Sequence, residues 1–160
     1  MAINIGRRQF IAVLSGAATV GPWKANAQQP RVPVVGFLSS RSPGESSGLI
    51  AAFQQGLGEV GFVEGRNVAV AFRWAEGHYD RLPALAVELV NLPVAVLLAA
   101  GGSSSALSAK AATSTVPIVF SAVSVPVQLG LVASLNRPGG NVTGMGMFGS
   151  ELWAKSVELS

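Results

Sequence analysis

The sequence predicts an α/β fold built on a doubly wound, parallel, five-stranded sheet. Three observations carry that prediction. Short apolar runs alternate with stretches of helical periodicity five times, over short connections. One run, Val94–Ala100, is apolar throughout and closes on Gly101–Gly102, as expected of a strand buried on both faces. No internal repeat, low-complexity tract or second-domain boundary interrupts the pattern.

Val34–Leu38 reads as the first buried strand, running into a loop over Ser39–Gly44. From Glu45 onward Leu49, Phe53, Leu57 and Val60 share one face of a helix that Gly61 stops. Glu64–Asn67 is a turn, and Val68–Phe72 is a second strand leading into Arg73–Gly77. Asp80 is expected to cap a second helix with Leu82, Leu85 and Leu89 on one face. Pro83 falls in its first turn, where no backbone donor is needed. Asn91 and Pro93 end that helix before the third strand, and Ser103–Ser105 open the helix Ala106–Thr113. Pro117–Ser121 is the fourth strand. Pro126 is expected to start a short helix carrying Leu129, Val132 and Leu135. Arg137–Asn141 is a turn, Val142–Met147 a fifth strand, and Ser150–Glu151 the opening of a further helix.

Of 160 residues, 49% are hydrophobic and 12% charged, which supports a packed core and argues against disorder. The formal charge of +3 comes from Arg7, Arg8 and Lys24; the eight later Lys and Arg balance the eight Asp and Glu. The body has no basic stripe, so nucleic acid is a poor partner for it. With no cysteine, disulfides, thiolate metal sites and cysteine nucleophiles are excluded.

Residues 1–27 read as a signal peptide of the twin-arginine type. Gly6-Arg7-Arg8-Gln9-Phe10-Ile11 opens it, and Phe10–Val20 is weakly apolar and shorter than the about 20 residues a bilayer span needs. Gly21-Pro22 breaks the run, and Ala25-Asn26-Ala27 is a cleavage signal. The mature chain is expected to start at Gln28, in the periplasm.

Catalytic readings fare poorly, and no catalytic residue, cofactor or metal is expected. The lone His78 sits at a turn, no G-x-S-x-G elbow precedes a helix, and no phosphate-loop or G-x-G-x-x-G pattern occurs. The residues at the strand ends are polar and mostly uncharged: Ser39 and Ser40, Trp74 and Glu76, Gly101, Gly102, Ser103 and Ser104, then Ser121 and Ser124. In a parallel sheet these loops share one edge, where open α/β sheets bind ligands. Such a rim suits a small solute carrying a carboxylate, with Trp74 covering an apolar or cationic part. An ordinary strand–helix connection with serine caps explains Gly101–Ser105 equally well, and Trp74 is equally compatible with core packing.

Several blocks resemble ABC transporter substrate-binding proteins of the TrpX-like, type I periplasmic binding class. They are Val35–Ser39, Phe53–Leu57, Gly61–Val68, Arg73–Gly77, Tyr79–Ala86 and the long run Leu129–Gly144. The resemblance implies a flavodoxin-like lobe at 28–150, with 151–160 beginning the crossover helix toward a second lobe absent from this chain. It implies a non-enzymatic receptor that captures an amino-acid-like solute and delivers it to an ABC permease in the inner membrane. The same strand-end loops would face the ligand, with a second lobe or a homo-oligomer completing the enclosure. Where such proteins often carry an acidic residue before the proline at 126, this chain has Val125. The alternatives left open are a periplasmic ligand-sensing or interaction domain, and a truncated product without function.

Overall fold

A computed structural model of the chain describes residues 32–146. It contains five strands, β1 (Val34–Ser39), β2 (Ala69–Trp74), β3 (Val94–Ala100), β4 (Ile118–Val123) and β5 (Val142–Gly146). Three α-helices connect them: α1 (Ser47–Glu59), α2 (Leu82–Val90) and α3 (Ser103–Ala112). The strands form one sheet in the order β2-β1-β3-β4-β5, every pair parallel, as the sequence predicts. Among the described residues no helix is long and apolar enough to cross a membrane.

The order places β1 beside β3, so the chain leaves these two neighbours in opposite directions. Successive side chains of β1 point to opposite faces of the sheet. Phe37 meets Phe53 of α1 edge-on at 5.7 Å, whereas Leu89 of α2 packs over the adjacent Gly36. Helix α1 therefore lies on one face and α2 on the other. Helix α3 joins α2, and their Leu82, Leu85, Ala86, Leu89, Ala106 and Ala109 close a core with Leu38, Leu97, Ala99, Ile118 and Phe120. Fully burying each such leucine contributes about 1.5–3 kcal/mol. Helix α1, by contrast, has no buried residue.

Local signals explain most boundaries. Helix α1 ends at Glu59 in a reciprocal pair of bonds, Gly61 N–H to Gly58 O and Phe62 N–H to Leu57 O. This is the Schellman arrangement that satisfies the last carbonyls. Pro83 sits in the first turn of α2 and Asn91 caps its end. Asp80 is not the cap: it lies within a short 3₁₀ turn, Tyr79–Arg81, that runs straight into α2, and Arg81 holds the cap position without a side-chain bond. Serine does not cap α3 either; Gly102 precedes it and Ser103 is its first residue.

The helix expected from Pro126 does not form. Residues 125–132 make one helical turn, with the Leu129 N–H on Val125 O, before Gly130 adopts φ +66° and the chain reverses. The Lys110 ammonium then donates to the freed Gly130 and Leu131 carbonyls, while Leu131 and Val132 are buried in the core. Farther along this block the Asn141 amide donates to Thr113 O and Val116 O, clamping the start of β4. The last residue expected in the fifth strand, Met147, and the helix expected from Ser150 lie outside the described residues.

Candidate functional site

The C-terminal ends of all five strands lie along one edge, and the loops after β1 and β3 meet there. Ser40 Oγ donates to Gly101 O at 2.8 Å, and Ser39 Oγ accepts the Arg41 N–H at 3.1 Å. Both serines are buried. Gly101 must be glycine: its φ is +83°, and a Cβ would stand 2.5 Å from Ser40 Oγ. The loop after β2 is drawn in by backbone bonds from Ala75 and Gly77 N–H to Ser39 O and Ser40 O.

Beyond this brace, on the α1 side of the sheet, a cleft of about 430 Å³ opens along the strand ends. Its lining comes from Arg41, Ser46, Leu49, Gly101, Ser121, Ala122, Met145 and Gly146. Ser42 and Glu45 set the entry to α1 through a reciprocal box. Glu45 Oε2 accepts from Ser42 N–H at 2.9 Å and from Ser42 Oγ at 2.8 Å, and Ser42 Oγ in turn accepts the Glu45 N–H at 3.4 Å. The Ser42 N–H, then the Ser42 hydroxyl, hold the Glu45 carboxyl below its ordinary pKa, and the nearby Arg41 charge adds to this. The Ser46 hydroxyl is buried at the cleft wall without a hydrogen-bond partner. Across the cleft, Ala122 stands at φ +59°, where the pairing of β4 with β5 slips between Ser121 and Val123. Such a conformation is costly for a residue with a Cβ and tends to mark functional positions.

The structure brings together some of the expected site residues and separates others. Gly101 and Ser121 line the cleft; Ser39 and Ser40 brace it from below, their hydroxyls already engaged. Gly102 precedes α3, with Ser103 half-buried and Ser104 exposed in its first turn, and none of the three is part of the lining. Ser124 opens onto a smaller hollow with Val125 and Pro126. Trp74 stacks on Phe72 at 5.6 Å and tilts against Phe37 at 5.3 Å, so its ring belongs to an aromatic cluster under α1. Glu76, at φ +54°, is exposed and 3.8 Å from Arg81. Arg41, Ser46, Leu49, Ala122, Met145 and Gly146 were not expected here. The Ser42-x-x-Glu45 spacing was the one sequence signal near the first three; it closes the turn that precedes α1 and leaves Ser46 at the helix cap. Among the described residues no cluster of His, Asp or Glu is arranged to hold a metal ion.

A parallel sheet of order 2-1-3-4-5 with a cleft at the β1/β3 crossing defines a lobe of the open α/β class, whose ligands bind at such crossings. The model of the ABC transporter substrate binding protein family matches residues 31–160, and the chain belongs to that family. A tyrosine-binding protein of Clostridioides difficile (strain R20291) is 36% identical over 92 residues, covering 58% of this chain and 26% of that protein. The ABC domain in complex with L-Trp from Streptococcus pneumonia is similar with a TM-score of 0.66 and 26% identity, over 71% of this chain and 38% of that one. The ligand-free, open structure of CD0873, a substrate binding protein with adhesive properties from Clostridium difficile, has a TM-score of 0.71 and 30% identity, over 80% of this chain and 42% of that one. The chain thus spans about a quarter of the curated relative and about two fifths of the solved structures.

Proposed function

We propose that this chain is the ligand-binding lobe of an exported solute-binding component of an ABC importer. It captures a small amino-acid-like molecule at the C-terminal ends of the strands and presents it to a permease in the inner membrane. The observation that carries this reading is the cleft at the β1/β3 crossing, where two connections leave the sheet on opposite sides. The tyrosine-binding and L-Trp-bound relatives favour an aromatic amino acid. The twin-arginine motif and Ala25-Asn26-Ala27 favour a signal peptide over 1–27, cleavage after Ala27 and a periplasmic setting for the lobe at 28–150. Residues 151–160 then begin the crossover toward a second lobe. Binding without chemistry accounts for the polar, largely uncharged strand ends, and no catalytic role is assigned to any residue.

Calorimetric titration with the common amino acids tests the reading. Saturable one-to-one binding of L-tyrosine or L-tryptophan is expected, and Ser121→Trp, which fills the cleft, is expected to abolish it while the chain stays folded. Absence of binding by every amino acid, or full binding by the filled variant, sets the reading aside. A ligand-sensing or interaction domain is favoured by one feature, the exposed apolar residues Val60, Phe62 and Val63 just beyond the end of α1. Ligand-dependent capture of a receptor ectodomain, with none of the permease, selects that alternative.

A further inference from the structure

The chain holds no cysteine, so its sulfur chemistry belongs to methionine, at Met1, Met145 and Met147. Met145 lies in β5, the last strand of the sheet, paired with Ser121 of β4. It is 78% exposed, the most exposed large apolar side chain among the described residues. Gly144 and Gly146 flank it, so neither adjacent residue of β5 has a side chain to shield the thioether. A side chain so placed contributes little to the core. Yet Met145 stands at the strand-end cleft, where it and Leu49 are the two large apolar members of the lining. An oxidant must reach the sulfur lone pair to react, and here nothing on its own strand bars the way.

We propose that Met145 is a reversible oxidation site that sets the affinity of the cleft. The oxidant is a peroxide, with hydrogen peroxide as the simplest case. The sulfur lone pair attacks one peroxide oxygen, and an S–O bond forms as the O–O bond breaks. The second oxygen takes the transferred proton and leaves as water; sulfur gives up two electrons and the peroxide accepts them. The product is a sulfoxide, polar and chiral where the thioether was flexible and apolar. An apolar ligand entering the cleft must then strip water from the new oxygen, so the oxidised chain binds more weakly. Sulfoxide reductases return the thioether, which makes the change reversible. The effect on affinity rests on the solute-binding reading, whereas the oxidation site itself does not.

The test treats the full chain with graded hydrogen peroxide and follows each methionine by peptide mass mapping, with fragmentation that separates Met145 from Met147. Met145 is expected to oxidise nearly as fast as in the urea-unfolded chain, and saturating L-tryptophan should slow it. Oxidation is then taken to completion in a Met147→Leu chain, and L-tryptophan is titrated by calorimetry. Affinity should fall about tenfold, the order of one polar group desolvated without a partner. Methionine sulfoxide reductase should restore it. With Met145→Leu added, the affinity after peroxide should equal that chain's own affinity before it. Protection of Met145 in the folded chain, to well below its unfolded rate, overturns the site. Equal affinity of the oxidised and reduced chains overturns the control of binding, as does a loss that persists with Met145→Leu. A reduced chain that binds neither L-tryptophan nor L-tyrosine sets aside the solute-binding reading and the control of binding together. Oxidation of Met145 as free as in the unfolded chain would still support the site in that case.

Discussion

Leu89 on α2 and Leu49 on α1 are the same side chain on helices flanking one sheet, yet Leu89 is fully buried and Leu49 is 38% exposed. The difference follows from what each face offers. On the α2 side two helices lie together, and small residues such as Ala86, Ala106 and Ala109 let them approach the strands closely. On the α1 side a single helix rests through Phe53 on Phe37, which in turn packs with Phe72 and Trp74, and the strands β4 and β5 bring Ser121 and Met145 to the open cleft. The first face holds most of the buried core, and the second holds the cleft proposed as the binding surface. Ligand sites are commonly drawn from the less stable parts of a fold, because they must yield to what they bind.

Substitutions matched across the two faces break that comparison if it is wrong. Leu89→Ala is expected to cost about 3 kcal/mol, within the range for a fully buried leucine, and Leu49→Ala less than about 1 kcal/mol. Urea denaturation of both variants decides it, and equal losses would mean that α1 is as firmly packed as α2. Gly101→Ala is expected to cost about 2 kcal/mol, combining the left-handed backbone penalty with the collision at Ser40 Oγ. It should also loosen the brace between the β1 and β3 loops, read as faster hydrogen exchange at Arg41 and Gly77. A variant as stable and as protected as the parent would show that the brace does not hold the edge.

The smallest expected effect is the pH response of the α1 entry. Because the Glu45 carboxyl is held below its ordinary pKa by Ser42, it stabilises the folded state at neutral pH. That contribution is lost as pH falls from the ordinary carboxylate range through the lowered folded value. Glu45→Gln should therefore lower Tm slightly at neutral pH and have no effect once the parent is protonated. A Tm difference that is constant with pH, or grows toward acid, contradicts the assignment.

The order of strands and helices was legible because it is a local property. Val94–Ala100 is apolar throughout wherever it sits, and Leu82, Leu85 and Leu89 fall on one face of any helix that contains them. The block after Pro126 misled for the opposite reason. Its apolar spacing fits a helix, but Gly130 reverses the chain, and burial of Leu131 and Val132 with the Lys110 bonds to the freed carbonyls replaces helical bonding. At the site, Gly101 and Ser121 were readable as strand-end residues. Nothing nearby in the sequence reveals that Ser40 donates its hydroxyl to Gly101, 61 residues away, and so joins the two loops.

By itself the sequence determined the class of fold, the parallel sheet, the edge at which the strand-end loops collect and the family resemblance. These follow from apolar periodicity, turn residues and recurring blocks, all written within short windows. Only the tertiary structure decided which of those loops form a cleft. Arg41 and Ser46 reach it because β1 lies beside β3 while α1 stands on the opposite face from α2, and Ala122 reaches it because the β4–β5 pairing slips by a residue. Strand adjacency and register are settled by packing between distant segments, and no local pattern encodes them.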